Sequence, residues 1–175
     1  DKNNPKAATQ ELRTAVQLKP GVPQIHIALG TALEQTGDHG SAIDEFKLAL
    51  QLDPQSIPVL DRLSKALIAE KRYSSAINYL KDAPADEGLQ LNLATAYSRA
   101  GNSDAAVQTL SLLLKNQPDS SEAHSDIGII YAQQGNLRKA AEEFQTALKL
   151  NPTDDLTRIA LVRAFAALGD YASAE

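Results

Sequence analysis

The chain has no cysteine and no tryptophan, and its aromatic residues are three Phe and five Tyr in 175 positions. Without cysteine there is no disulfide framework, no thiolate zinc site and no cysteine nucleophile, and the redox compartment is left open. Long apolar runs are missing too. Leu112-Leu113-Leu114 is among the longest, far short of the roughly 20 residues needed to cross a bilayer, so a soluble chain is expected, cytoplasmic or periplasmic. No basic region followed by an apolar stretch reads as a signal peptide. An excess of positive charge is also absent. With 17 Lys and Arg against 22 Asp and Glu, the net charge is -5, and the cations are scattered rather than gathered into the stripe that phosphate binding requires. Nucleic acid is not an expected partner.

What is present is Ala, Leu and a repeat. Hydrophobic residues make up 43% of the chain with few aromatics among them, a composition suited to closely packed helices. The phrases LRTAVQLKP, FKLALQLDP, LSLLLKNQP and FQTALKLNP end at Pro20, Pro54, Pro118 and Pro152 and are variants of one helix ending. Ahead of them Ala8, Ala42, Ala76, Ala106, Ala140 and Ala174 recur at steps of 34, 34, 30, 34 and 34 residues. A second series keeps the same phase: Gly30, Ser64, Ala94, Gly128 and Val162. Its mostly small members let two helices approach closely. Each is preceded by Leu29, Leu63, Leu93, Ile127 or Leu161 and followed three residues on by Leu33, Leu67, Tyr97, Tyr131 or Phe165, which makes one apolar helical face.

Gly37, Gly101, Gly135 and Gly169 close these first helices, and second helices follow, marked by Ala42, Phe46 and Ala49 or by Ala140, Phe144 and Ala147. A proline then ends each unit. Counted this way, repeats span 23 to 56, 57 to 86, 87 to 120 and 121 to 154, flanked by a lone second helix in 1 to 22 and, in 155 to 175, a first helix with the start of its partner; all belong to one expected domain. A start at Asp1 and boundaries that cut through repeats predict a piece of a longer protein. The unit 57 to 86 carries Lys71 where the turn glycine is expected and is four residues shorter. Pro84 predicts that its second helix, starting near Ser74, ends by about Asp82, with Asp86 capping a helix that begins at Glu87.

Leu29-Gly30, Leu33, Gly37, Ala42, Phe46, Ala49 and Pro54 fall in order on the motif of the tetratricopeptide repeat, which the chain resembles over essentially its whole length. The family's frequent aromatic near the start of the first helix is replaced here by His26, Leu60, Gln90, His124 and Arg158. The resemblance implies an all-α fold, a right-handed superhelical solenoid of stacked antiparallel helix pairs whose inner surface is lined by first helices.

Chemistry is harder to find. His26 and His124 hold equivalent positions in different units, so stacking separates them, and a helix-packing role is expected rather than a metal site. His39 sits in a turn. No histidine has Ser, Cys and acid neighbours in triad order, and no glycine-rich loop would cradle phosphate. Asp44 with Glu45, and Glu142 with Glu143, are adjacent on helices, where neighbours do not face each other, so a solvated surface is expected rather than acid/base catalysis. No cofactor, metal or catalytic residue is assigned.

Helical phase selects the surface a partner would meet. In the first unit it is Ile27, Thr31 and Gln35; in the next, Asp61, Arg62 and Lys65. Leu91, Asn92, Thr95 and Arg99 continue it, followed by Ser125, Asp126 and Ile129, and then by Arg163. The family's carboxylate clamp, built from Lys, Asn, Asn, Lys and Arg, is not reproduced: of the residues in those positions only Asn92 matches in kind. Arg62, Lys65 and Arg99 beside Asn92 could form a basic spot for an acidic group, although Asp61 and Lys65 are spaced to pair along one helix. The expected function is a non-catalytic scaffold holding another protein or peptide in a groove. Two alternatives are self-association to a homo-oligomer through uncovered terminal helices and an accessory repeat domain of an enzyme whose catalytic part lies elsewhere.

Overall fold

The structure, a computed structural model, describes residues 5 to 169, which form ten α-helices with no strand among them. Ala174 and the start of the last expected helix lie outside the described residues. The chain divides into two compact units, Asp1–Asn92 and Leu93–Glu175, the division falling inside one helix.

The first unit holds α1 (Pro5–Leu18), α2 (Pro23–Gln35), α3 (His39–Leu52), α4 (Ile57–Ala69), α5 (Tyr73–Leu80) and the start of α6 (Glu87–Arg99). Up to α5, each helix packs on the one before it, as local helix pairing requires when connections are short. The second unit holds the rest of α6, then α7 (Ser103–Asn116), α8 (Ser121–Gln133), α9 (Leu137–Leu150) and α10 (Asp155–Leu168). Here α8 packs on α7 and α9, α10 packs on α9, and α8 touches α10.

The sequence starts and stops these helices by recurring devices. Asp38, Asn102 and Ser120 accept the backbone N–H of Ser41, Ala105 and Ala123 at 3.2, 3.2 and 3.3 Å, capping donors that the first turn leaves unpaired. Asp86 does the same for Leu89 at 3.1 Å, the cap expected from sequence. First helices end alike: the N–H of Asp38 reaches back to the Leu33 carbonyl at 3.0 Å, and that of Asn102 to Tyr97 at 2.9 Å. This closure needs a left-handed residue in the turn. Gly37 supplies it at φ 81°, whereas the unit that lacks the glycine forces Lys71 to φ 58°. Second helices end one residue before the pre-proline positions Asp53, Gln117 and Asn151, which proline keeps out of helical geometry.

Where a unit's helices touch, small residues face large rings. Gly30 and Phe46 are buried together, and a Cβ built on Gly30 would lie 2.6 Å from the Phe46 ring. Gly128 and Phe144 repeat this geometry at 2.6 Å. In the two intervening repeats Ser64 and Ala94 take the small position and buried Leu80 and Leu110 the large one, so volume is traded across the contact.

The shortened second helix ends before Asp82, as expected: α5 stops at Leu80 and has 8 residues against 14 in α3. Lys81 keeps helical dihedrals but the ladder ends there, because Ala83 N–H turns back to the Leu80 carbonyl at 3.1 Å and Pro84 has no N–H to continue it.

Candidate functional site

Helices α2 and α4 present the first group of surface residues. Ile27 and Thr31 are half-buried, with the Thr31 hydroxyl donating to the Ile27 carbonyl at 2.8 Å, and Gln35 is exposed. On α4 Lys65 reaches Asp61 at 2.8 Å, and Arg62 lies 3.5 Å from Glu34. From α6, half-buried Asn92 donates one amide to Asp61 Oδ1 at 2.9 Å and to Ser64 Oγ at 3.1 Å, beside half-buried Leu91. The cations of this region therefore face acids of the chain itself, and the Asn92 amide is occupied. Exposed pairs of this kind contribute little to stability, about 0 to 1 kcal/mol.

The second unit is arranged differently. Thr95, Ser98 and Arg99 on α6, Leu110 on α7, and Asp126, Ile129 and Gln133 on α8 surround a hollow of about 170 Å³. Neither Arg99 nor Asp126 makes a hydrogen bond or ion pair among the described residues. Burial, and then the negative charge of Glu122 one turn earlier, push the Asp126 carboxyl up to about 6, since desolvation and a like charge both disfavour the ionised form. A second hollow of about 520 Å³ follows between α8 and α10. Ile129 and Gln133 wall one side, Leu156, Ile159, Ala160 and Arg163 the other, and Phe144 the floor. Ile129 and Gln133 thus form a ridge shared by both hollows.

Ser125, the remaining residue selected by phase, stitches α8 to α10. Its hydroxyl lies 2.6 Å from that of buried Thr157, whose own proton goes to Asp154 at 2.5 Å. Ser125 must therefore donate. Hydrogen bonds from Thr157 hold the Asp154 carboxyl below its ordinary range.

His26 and His124 pack between helices, as expected from sequence, but their partners correct the surface reading of the acids. His26 Nδ1 lies 2.7 Å from Glu45 Oε2 and its Nε2 2.9 Å from the Pro20 carbonyl. His124 Nδ1 lies 2.7 Å from Glu143 Oε2. Asp44 and Glu142 are exposed, whereas Glu45 and Glu143 are half-buried against these rings. The signal was in the sequence: the same His to Glu spacing of 19 residues occurs in both units. Ile159 and Gln133 were also missed, although they share the phase of Ile27 and Gln35.

Among the described residues no group of three or more His, Asp or Glu could hold a metal ion, and no helix is long and apolar enough to cross a membrane.

No curated protein matches the chain. Among solved structures, MamA from Desulfovibrio magneticus RS-1 superposes with a TM-score of 0.74 at 23% identity, over 88% of this chain and 89% of that one. YrrB, described as a TPR protein with an unusual peptide-binding site, gives 0.67 at 17% identity, over 95% and 88%. A human IFIT1 dimer with m7Gppp-AAAA gives 0.69 at 18% identity, over 97% of this chain and 44% of that one. At these identities the likeness establishes the fold, a solenoid of tetratricopeptide repeats. Family models for the tetratricopeptide repeat match residues 1–57, 33–88, 67–125 and 121–154. The chain belongs to the tetratricopeptide repeat family.

Proposed function

We propose that this chain is a non-catalytic scaffold that binds another protein or peptide along its first helices. The observation that carries this reading is the pair of consecutive hollows formed by α6, α8 and α10, in which the half-buried Asp126 carboxylate has no partner among the described residues and Ile129, Leu156 and Ile159 are exposed. A folded chain ordinarily pairs or solvates such groups, and convergent unpaired ones in a concave site point to a ligand. The net charge of -5 favours a polypeptide over nucleic acid. YrrB's description as carrying a peptide-binding site supports the same class of ligand for this fold.

Site-specific photo-crosslinking tests it. With a crosslinker at Gln133, partner peptides identified by mass spectrometry should be captured and should be displaced by a candidate peptide in excess; a crosslinker at exposed Leu112 on α7 should capture none of them. Equal capture at both positions would remove the assignment.

Self-association is the second reading, favoured by apolar side chains bared on the outermost helices: Leu18 at 77% exposure on α1 and Leu156 at 80% on α10. Such faces seek cover. A molecular mass rising with concentration in light scattering would support it, and a constant monomer mass would dismiss it.

A further inference from the structure

The two hollows of the second unit differ in chemistry. The first has one carboxylate, Asp126, half-buried at its wall, with Glu122 one turn away on the same helix; α6 contributes one charge, Arg99, and α7 contributes apolar Leu110. Arg99 is exposed and forms no ion pair with Asp126, so the carboxylate is not neutralised by the nearest cation among the lining residues. Ala94, Ile129 and Ile130 supply an apolar wall alongside. A long aliphatic stem tipped by a positive charge matches that combination, since such side chains bury their methylenes and keep the charge at a polar site. The second hollow carries no acid. It is lined by Ile129, Leu156, Ile159, Ala160 and Phe144, with Arg163 as its one charge.

We propose that the hollows select adjacent anchors of one bound polypeptide: a lysine or arginine side chain received at Asp126, and a bulky aliphatic or aromatic side chain received between α8 and α10. The inference rests on the scaffold reading above and names its ligand. Because Ile129 and Gln133 wall both hollows, the two anchors lie a single ridge apart, within a few residues of each other in the ligand. Burial and the neighbouring Glu122 both disfavour the Asp126 charge, a penalty that a cationic side chain seated in the hollow would relieve. Few anchors are needed, since a small number of desolvated contacts dominates most interfaces.

Selection of displayed random dodecapeptides against the full chain tests the proposal. Enriched peptides should carry Lys or Arg with Leu, Ile or Phe within a few positions. Replacing the basic residue of an enriched peptide by norleucine should weaken binding about tenfold, the loss expected when one charge-assisted hydrogen bond is removed. That arm leaves the protein unaltered, so it holds even if a variant misfolds. Asp126→Asn should abolish the preference for basic peptides while retaining the apolar one, and Ile159→Asp should do the reverse. Binding to the wild-type chain should also fall as the pH drops through about 6, where Asp126 takes up its proton. Enriched peptides that are acidic or lack a basic residue, or norleucine peptides that bind equally well, would overturn this inference and leave the scaffold reading intact. Failure of any peptide to enrich would overturn both.

Discussion

Residues 23 to 56 and 57 to 86 are consecutive copies of one helix pair, yet they are held together differently. In the first, the two helices close on a Gly30 to Phe46 contact and a half-buried His26 to Glu45 hydrogen bond, the turn glycine is present and α3 has 14 residues. In the second, buried Ser64 and Leu80 hold the equivalent positions, Leu60 stands in the histidine's place, Lys71 is forced left-handed and α5 has only 8 residues. The shorter pair binds instead to its neighbour, through Asn92 on Asp61 and Ser64. The first repeat thus adds a polar bond between its own two helices, whereas the second takes its polar bonds from the helix that follows. The same internal pattern returns in Gly128, Phe144, His124 and Glu143, so a family of repeats tolerates two packing solutions as long as the summed volume across the contact is kept.

The largest break of this comparison comes from Gly30→Leu. Its side chain would drive into the Phe46 ring, and overpacking should cost about 1 to 3 kcal/mol, read as a lower thermal midpoint. Adding Phe46→Leu should recover part of the loss, because Leu is the partner that Ser64 and Ala94 already use. No rescue would mean that the ring contact is not what sets the small residue.

Next is His26→Ala, which strands the half-buried Glu45 carboxylate and the Pro20 carbonyl; the expected loss is about 1 to 3 kcal/mol in chemical denaturation. His124→Ala should lose less. Its side chain is 16% exposed against 4% for His26, and its ring bonds Glu143 alone among the described residues.

Asp126→Asn should act in the opposite direction. A carboxyl whose folded value is raised to about 6 from 3.8 binds its proton more tightly in the folded state, so the wild-type chain gains stability as the pH falls from above 6 toward 4. The substitution should therefore stabilise at pH 7, by on the order of 1 to 2 kcal/mol after allowance for solvent screening, and the gain should vanish near pH 4. A pH-independent difference between the two proteins would contradict the assignment.

The smallest effect belongs to Lys71→Gly. Relieving a left-handed non-glycine residue should stabilise by about 1 kcal/mol, bringing the shortened repeat's turn into line with that of Gly37. An unchanged or lower melting midpoint would show that the Lys71 side chain compensates for its backbone.

The fold was legible because its devices are local and repeated: spacing identified the paired helices, the turn glycines and the small residues at which two helices approach closely, though not the rings of Phe46 and Phe144 that fill the contact. The cap at Asp86 was legible for the same reason. The early end of α5 was legible from Pro84; the turn that closes it, Ala83 on Leu80, was not. Helical phase grouped Asp126, Ile129, Thr95, Arg99 and Arg163, which line the two hollows. The i, i+4 spacing already pointed to the Lys65 to Asp61 pair; it could not show that Arg62 is answered by Glu34 while Asp126 and Arg99 are not, because that pairing depends on rotamers and on neighbours from other helices. Glu45 was hidden by the same limit: adjacency to Asp44 suggested solvent, and its histidine lies a helix away.

Hydrogen-deuterium exchange of the full chain with and without a selected peptide tests the scaffold reading most directly. Protection should fall on α8 and α10 at the walls of the two hollows and leave the exposed face of α7 around Leu112 unchanged. Protection confined to α7 and α9, with α8 and α10 exchanging as in the free chain, would contradict it.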